Sequence, residues 1–362
     1  MKKVFILIIS LFLITNVNAN KKDITNLNFK PSVDKGKIGK AYEIVKAESG
    51  EPVIGESAYK FIAIPFDCGE DEYSSHTDCG TLDKKNAFLS KGDRVRSELA
   101  AADKNSRFSG EQWFSFSIYI PEDYKTISPT ITSFYQIYES GNGPALKIED
   151  NWGTMIANIM IKGGTVEIRN LISINDMKGK WTHVVMNNNY SKNKEKGFYN
   201  IWVNSKYTAS YEGKTYGGGA KGLYVKAGLY QTYISRYLKK IGVKPEWVKG
   251  QDPGKFPTQI IYLDNIYRTT SKKKLENILS KKFENYQLPK GLDVNFLKIP
   301  NLQDYCNTKN KNLFCAVAVS HSDTSLKFLG EDPNEGTAKM KANRKCFQKF
   351  KDCKVIYLEK QN

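Results

Sequence analysis

Histidine is scarce in this chain: its 362 residues include only three, so few imidazoles are available for acid–base catalysis. No CxxC pair occurs among the six cysteines, which disfavours a zinc site built on thiolates. The sequence also lacks a glycine-rich phosphate loop and a G-x-S-x-G motif, so nucleotide chemistry and serine hydrolysis are disfavoured. Internal repeats and zinc-finger spacings are missing as well.

Long apolar runs are missing except near the start of the chain. Lys2 and Lys3 precede the apolar run 4–14, and Val17-Asn18-Ala19 supplies a small-residue cleavage site. The run is shorter than the ~20 residues that a membrane-spanning helix needs. We therefore predict a signal peptide at 1–19, secretion or a periplasmic location, and no membrane span.

Acidic residues are fewer than basic ones: the chain has 38 Asp and Glu but 55 Lys and Arg, which gives a formal net charge of +17. Such an excess attracts polyanions. Export argues against nucleic acid, whereas an extracellular acidic polysaccharide fits both the charge and the compartment. A lysine-rich, solvated surface explains the charge equally well. A monomer without a nucleic-acid partner is expected.

The six cysteines form two groups, and export favours disulfides over metal binding. Cys68 and Cys79 form a plausible local pair. The other four lie in the last sixty residues, and their connectivity stays open: Cys306, Cys315, Cys346 and Cys353.

Short alternating runs bounded by turn residues dominate the chain as far as residue 287 and predict an antiparallel β-sandwich or jelly roll over 20–287. One helix is expected at 271–285, followed by a linker at 288–302. Residues 303–362 predict a small, cysteine-rich α+β domain, with a helix at 336–351 between two strands. The strands expected in the large domain are 113–120, 131–138, 155–161, 165–168, 181–186, 197–203, 222–231 and 260–268.

Three short motifs place polar side chains on one face of a strand and apolar side chains on the other: RSEL at 96–99, QIY at 136–138 and YVKAGLYQ at 224–231. A concave sheet carrying all three strands would collect a guanidinium, an amide, an ammonium and several phenols. This set suits removal of the weakly acidic C5 proton of a uronic acid. Cations and amide donors stabilise the charge that develops on the sugar carboxylate, and a phenol beside a cation can transfer protons.

These motifs resemble those of the jelly-roll polysaccharide lyases, which carry R-[ST]-E-L, Q-[IV]-H and Y-x-K-x-G-x-Y-x-Q strands. The stretches 113–124, 179–181 and 198–204 are similar to the heparin lyase I and glucuronan lyase group. The resemblance covers about 94–268. It implies that Arg96 and Gln136 neutralise the substrate carboxylate and that Glu98 holds Arg96.

The same resemblance makes Tyr230 the catalytic acid, and the base as well if both steps occur on one face of the sugar. Lys226 would line the site and tune Tyr230. Arg94, Tyr224 and Gln231 complete the expected substrate-binding set.

One departure from the family pattern matters: Tyr138 stands where the lyases have histidine. Three interpretations follow: Tyr230 serves as both base and acid, Tyr138 takes over the role of the histidine, or catalysis is lost and the groove only binds sugar. His76, in the loop between Cys68 and Cys79, is a candidate for the missing imidazole. His183 is expected to pack on a strand or point to solvent, and His321 to lie on the surface of the tail.

The leading hypothesis is an exported lyase that cleaves a uronate-containing polysaccharide, such as alginate or glucuronan, by β-elimination. A non-catalytic protein that binds acidic carbohydrate on the same fold is the alternative. A glycoside hydrolase would need two carboxylates, for example Glu98 with Glu149 or Asp150. No cofactor is expected to be required, although a structural Ca²⁺ near Asp264 and Asn265 is left open.

Overall fold

The computed structural model describes residues 27–32, 34–35, 42–64, 69–70, 93–219, 221–243, 256–282, 314–320, 327–349 and 353–360. Two seven-stranded antiparallel sheets make up the large domain. The first, called the site sheet, contains in spatial order β1 (Lys30–Pro31), β6 (Arg94–Ala100), β15 (Leu223–Thr232), β8 (Ile131–Glu139), β9 (Gly143–Asn151), β10 (Thr154–Ile161) and β11 (Gly164–Ser173).

The second sheet, called the opposite sheet, packs against the first. Its spatial order is β14 (Lys206–Glu212), β13 (Phe198–Val203), β12 (Trp181–Tyr190), β7 (Gly110–Tyr119), β16 (Gln259–Thr269), β4 (Ser57–Ala63) and β3 (Glu43–Lys46). Two short strands pair separately, β2 (Asp34–Lys35) and β5 (Gly69–Glu70). Helix α1 (Ile234–Lys240) follows β15, and α2 (Lys272–Lys282) follows β16.

The main hydrophobic core lies between the two sheets, because alternate residues of each strand point inward. Phe116 of the opposite sheet stacks on Tyr135 of the site sheet, with ring centroids 4.6 Å apart and planes inclined by 10°. Both rings are buried. Burying side chains of this size contributes roughly 2–3 kcal/mol each, and the same contact fixes how the sheets face each other.

The β-sandwich expected from the alternating runs is confirmed, and the predicted strands match observed ones within a few residues. Strand β9 was not predicted, because its charged residues resemble a turn. Strands β4 and β14 and helix α1 were also not predicted. Among the described helices, none combines the length and the apolarity that crossing a membrane requires.

The C-terminal unit consists of β18 (Lys327–Asp332), β17 (Phe314–Ser320) and β19 (Cys353–Lys360), with α3 (Glu335–Phe347) packed against them. Ala338, Ala342 and Cys346 form the buried face of α3, at the spacing that the sequence predicted. Cys315 and Cys346 are each disulfide-bonded. The predicted signal peptide and linker, with Cys68, Cys79 and Cys306, lie outside the described residues. The pair of Cys68 with Cys79 therefore stays a prediction, and the connectivity of the other four cysteines stays open.

Candidate functional site

A cavity of about 490 Å³ opens on the site sheet. Its lining combines four cationic side chains with three tyrosines and one glutamine: Lys30, Arg94, Arg96, Lys226, Tyr138, Tyr224, Tyr230 and Gln136. Asp103, which also lines the cavity, is engaged in capping a turn through Asn105 and Ser106. The cavity is therefore strongly cationic.

Strand register explains why residues far apart in the sequence meet here. Tyr230 lies opposite Arg96 across the β15–β6 pair. On the other side of β15, Lys226 lies opposite Gln136 and Tyr224 lies opposite Tyr138. Directly opposed residues share a face of the sheet. The structure thus brings all three sequence motifs together on one surface.

Gly228 is required between Lys226 and Tyr230. Its φ is +130°, and a Cβ at this position would lie 2.4 Å from the Ser97 carbonyl oxygen. The pairing of β15 with β8 shifts register here, between Ala227 and Tyr230. A bulge of this kind changes the direction of the following side chains, which sets the position of Tyr230 in the cavity.

A buried carboxylate, Glu98, organises the floor of the cavity. Gln136 Nε2 donates to Glu98 Oε1 at 2.5 Å, and Lys226 Nζ donates to Glu98 Oε2 at 3.2 Å. Arg96 Nη1 lies farther away, 3.9 Å from Glu98 Oε2. Glu98 therefore holds the amide and the ammonium more closely than the guanidinium that it was expected to hold. Because it is buried and occupied, it is a supporting residue rather than a substrate-binding one.

The cations also contact the tyrosine rings. The Arg96 guanidinium lies 4.8 Å from the ring centroid of Tyr230, and Lys226 Nζ lies 4.9 Å from that of Tyr138. The sequence assigned Lys226 to tune Tyr230. The geometry places the Arg96 guanidinium on the Tyr230 ring and brings the ammonium to Tyr138, which stands where the family has histidine. The tuning of Tyr230 by Lys226 stays a prediction.

Burial changes the acidity of two of these phenols. Desolvation raises the pKa of Tyr138, and the neighbouring Tyr230 raises it further, although Arg96 opposes the shift. Desolvation, followed by the effect of Tyr138, also raises the pKa of Tyr224. Both phenols are therefore protonated at neutral pH, and each can donate a hydrogen bond.

Lys30 of β1 and Ser32 just after it line the cavity and were not predicted, and neither was an ion pair of β9 that lies beside Gln136. Ser32, just after β1, lies 3.0 Å from Lys226 Nζ and 3.4 Å from Arg96 Nη1. Farther along the sheet, Lys147 Nζ pairs with Glu149 at 2.6 Å. Nothing local in the sequence indicates that the N-terminal segment pairs with β6, whereas the alternation of Lys147 and Glu149 on β9 was a usable signal.

Gln231 does not belong to the cavity, contrary to the prediction. It is fully buried, and its Nε2 donates to Gln259 Oε1 at 2.8 Å on the opposite sheet. The reason is alternation: Gln231 follows Tyr230 directly and so points to the other face. In the family pattern Y-x-K-x-G-x-Y-x-Q the glutamine falls two residues after the second tyrosine, which is the position of Thr232 here, so Gln231 does not occupy the glutamine position of the motif.

Of the three histidines, one lies within the described residues, and it does not line the cavity. His76 and His321 lie outside the described residues, so the role suggested for His76 stays a prediction. His183 lies on β12 of the opposite sheet, where its Nδ1 is 2.8 Å from Ser117 Oγ. Desolvation lowers its pKa, which agrees with the packing role expected for it.

Neither a metal site nor a hydrolase pair emerges from the described residues. No group of three metal-ligating side chains occurs among them. Beside Asp264, Asn265 Nδ2 donates to Ser117 Oγ. Glu149 is held by Lys147, and Asp150 points to the other face, where it accepts hydrogen bonds from a threonine and a tyrosine. Among the described residues, therefore, Glu98 does not form a hydrolase pair with either Glu149 or Asp150 across one cavity.

The chain is thus a β-sandwich protein with a cationic, tyrosine-rich cavity on one sheet, and such a cavity suits an anionic ligand. The family model described as "Polysaccharide lyase" matches residues 54–267, more than half of the chain. The chain therefore belongs to the polysaccharide lyase family and is a lyase.

Comparison with curated protein sequences gives no match. Among solved structures, the chain is similar to endo-β-1,4-glucuronan lyase from the fungus Trichoderma reesei (TM-score 0.44, 16% identity, 69% of this chain and 94% of that one). It is also similar to alginate lyase PA1167 from Pseudomonas aeruginosa (0.34, 16%, 57% and 81%). The botulinum neurotoxin type G receptor-binding domain is a further structural relative (0.35, 11%, 68% and 45%).

Proposed function

We propose that this lyase acts outside the cytoplasm on a uronate-containing polysaccharide, such as alginate or glucuronan, and cleaves it by β-elimination in the cavity of the site sheet. The observation that carries the proposal is the convergence of Arg96, Gln136, Lys226 and Tyr230 in one cationic cavity. A uronate carries one carboxylate per sugar residue, which is the charge that such a cavity attracts.

Arg96 and Gln136 bind the substrate carboxylate. One N–H of the Gln136 amide is used by Glu98, which leaves the other N–H and the oxygen for the ligand. Arg96 presents several N–H donors in a plane, a geometry suited to a carboxylate. As the C5 proton leaves, negative charge spreads onto the carboxylate, and these donors stabilise it most strongly at that point.

Tyr230 transfers the protons. Its phenolate removes the C5 proton, and the resulting phenol returns a proton to the glycosidic oxygen as the C4–O bond breaks. The Arg96 guanidinium against its ring favours the phenolate that exists before the first step and is regenerated by the second. The product has a C4–C5 double bond conjugated with the carboxylate. Tyr138, which stays protonated, donates a hydrogen bond to the sugar.

The test compares two single-hydroxyl deletions. Tyr230→Phe should lower turnover of a polyuronate by at least ~10²–10⁴-fold, because proton transfer is lost, while binding is largely kept. Tyr138→Phe should retain most of the turnover. Product is followed by ultraviolet absorbance of the unsaturated sugar across a panel of polyuronates.

Three outcomes contradict the proposal in different ways. Normal turnover by Tyr230→Phe removes Tyr230 from its assigned role. Loss confined to Tyr138→Phe gives that role to Tyr138. Binding of polyuronates by the folded wild-type chain without any unsaturated product argues for carbohydrate binding alone.

A further inference from the structure

The C-terminal unit covers one end of the site sheet. Cross-strand register places Ile156 of β10 on the same face as Tyr230, through Glu149 and Ser133. Ile156 is almost fully buried, and it lines a second cavity of about 220 Å³ together with Met340 and Phe347. Helix α3 therefore lies over the face that carries the proposed active site and ends the groove at β10 and β11.

The docking of α3 is built from specific contacts. Lys339 of α3 forms an ion pair with Glu167 of β11, and both are buried. Gly336 lies so close to β11 that an added Cβ would be 3.3 Å from Thr165 Cγ2. Asn151 Nδ2 lies 3.5 Å from Met340 Sδ. These contacts fix the side chains of α3 relative to the groove.

Trp152 and Arg344, which line the second cavity, and Lys240, which contacts the Trp152 ring, have the character of a sugar-binding site. Trp152, in the turn after β9, is 43% exposed, an unusual value for a large hydrophobic side chain in this protein. The Arg344 guanidinium lies 4.0 Å from the Trp152 ring centroid, and Lys240 Nζ lies 5.5 Å from it. A guanidinium stacked on a ring keeps its N–H edge available for a carboxylate.

Among the residues that the structure describes, carboxylates do not neutralise the charges of these two cations. Within the described ranges, no ion pair is found for Arg344 or Lys240. Lys240 Nζ donates to the Ser128 carbonyl oxygen at 2.9 Å, which leaves two of its donors for a ligand. Asn170 Nδ2, also at this cavity, is buried without a hydrogen-bond partner among the described residues.

We infer that Arg344, Trp152 and Lys240 form a remote subsite for a further acidic sugar residue of the same polysaccharide. The inference rests on the proposed function. Strands β9 to β11 lie two to four strand spacings from β15, about 10–19 Å, so a long chain can reach both places and a short one cannot. The appended unit thus supplies part of the substrate-binding surface and selects for polymeric substrate.

The experiment measures KM against substrate length, using size-fractionated oligomers of a polyuronate that the wild-type chain cleaves. Arg344→Ala should raise KM for long chains by about 10-fold, the loss expected for one hydrogen bond to a charged group, and the increase should grow with chain length. Arg344→Lys should recover part of the loss. The matched control is Lys345→Ala, which removes a charge from the next position of the same exposed helix surface and should leave KM unchanged.

Equal KM values for wild type and Arg344→Ala at every chain length would overturn the subsite. So would an equal increase in Lys345→Ala, because that result indicates general charge attraction. If the wild-type chain forms no unsaturated sugar, the proposed function fails. The subsite is then tested separately, by calorimetric measurement of the affinities of wild type and Arg344→Ala for the same acidic polymer. Equal affinities would reject it.

Discussion

Replacing Glu98 by Gln tests whether this buried carboxylate stabilises the side chains at the floor of the cavity, Gln136 and Lys226. The substitution keeps the size of the side chain but removes its charge, so the nearby ammonium of Lys226 loses its counter-ion. Lys226 is only 8% exposed, so water replaces the lost partner poorly. Leaving one member of a buried ion pair uncompensated costs ~3–5 kcal/mol. We expect a loss of about 3 kcal/mol, at the lower end of that range, because the introduced amide oxygen can still accept a hydrogen bond from Gln136.

The assay is urea unfolding, in which a lower midpoint at an unchanged m-value reports lost stability. The matched control is Glu48→Gln. Glu48 pairs with Lys46 at 3.8 Å, and both side chains are mostly exposed. Such a surface pair contributes up to ~1 kcal/mol. The reasoning is refuted if Glu98→Gln loses no more stability than Glu48→Gln.

A double-mutant cycle isolates the ion pair from other effects of the substitution. Lys226→Met keeps an unbranched apolar stem but removes the ammonium. Because the two charges compensate each other, the double variant Glu98→Gln/Lys226→Met should lose less stability than the sum of the single losses, by at least ~1 kcal/mol. Additive losses would show that the two residues do not form a unit.

Three other perturbations have defined outcomes. Gly228→Ala should cost several kcal/mol in urea unfolding, about 3 or more, because its Cβ meets the Ser97 carbonyl; a loss under ~1 kcal/mol would contradict the strained bulge. Burial raises the pKa of Asp150 from 3.8 to about 6, so its stabilising contribution is complete below about pH 4 and is lost as the pH rises through 6. Stability measured from pH 4 to 7 should therefore fall by up to ~3 kcal/mol more in wild type than in Asp150→Asn, and parallel curves would contradict this. Lys339→Met should loosen α3 from Glu167 and speed proteolytic separation of the C-terminal unit, whereas unchanged proteolysis would mean that the ion pair does not hold the unit.

Strand alternation was enough to predict most of the candidate site. Arg96, Gln136, Lys226 and Tyr230 each occupy an alternate position in a strand with apolar neighbours, and a strand of period two carries such residues to one face. Gln231 was assigned to the site although it directly follows Tyr230, and it is buried on the other face. Strand alternation, and the spacing of the family pattern itself, both place a site residue at 232 rather than at 231.

Other features depended on contacts that no local pattern contains. Ser32 enters the cavity because β1 pairs with β6, some seventy residues later in the sequence. The contact of Arg96 with the Tyr230 ring follows from the pairing of β15 with β6, which places the two residues opposite each other. The position of α3 over β11 depends on side chains from two separate units. Contacts between residues that lie far apart in the sequence are determined by tertiary packing rather than by the local propensity of the residues.

The shortness of β1 has a consequence for how the enzyme loses activity on heating. Within the described residues of this segment, Lys30 and Pro31 alone pair with β6. The segment adds two hydrogen bonds from backbone N–H groups, Ser32 N to the Glu98 carbonyl oxygen and Asn28 N to Ser106 Oγ. Short segments with so few bonds detach at free energies far below that of global unfolding. When this segment detaches, Ser32 no longer contacts Lys226, and the cavity loses the residues of β1 that line it, while the β-sandwich stays folded. Thermal inactivation should thus precede melting and reverse on cooling.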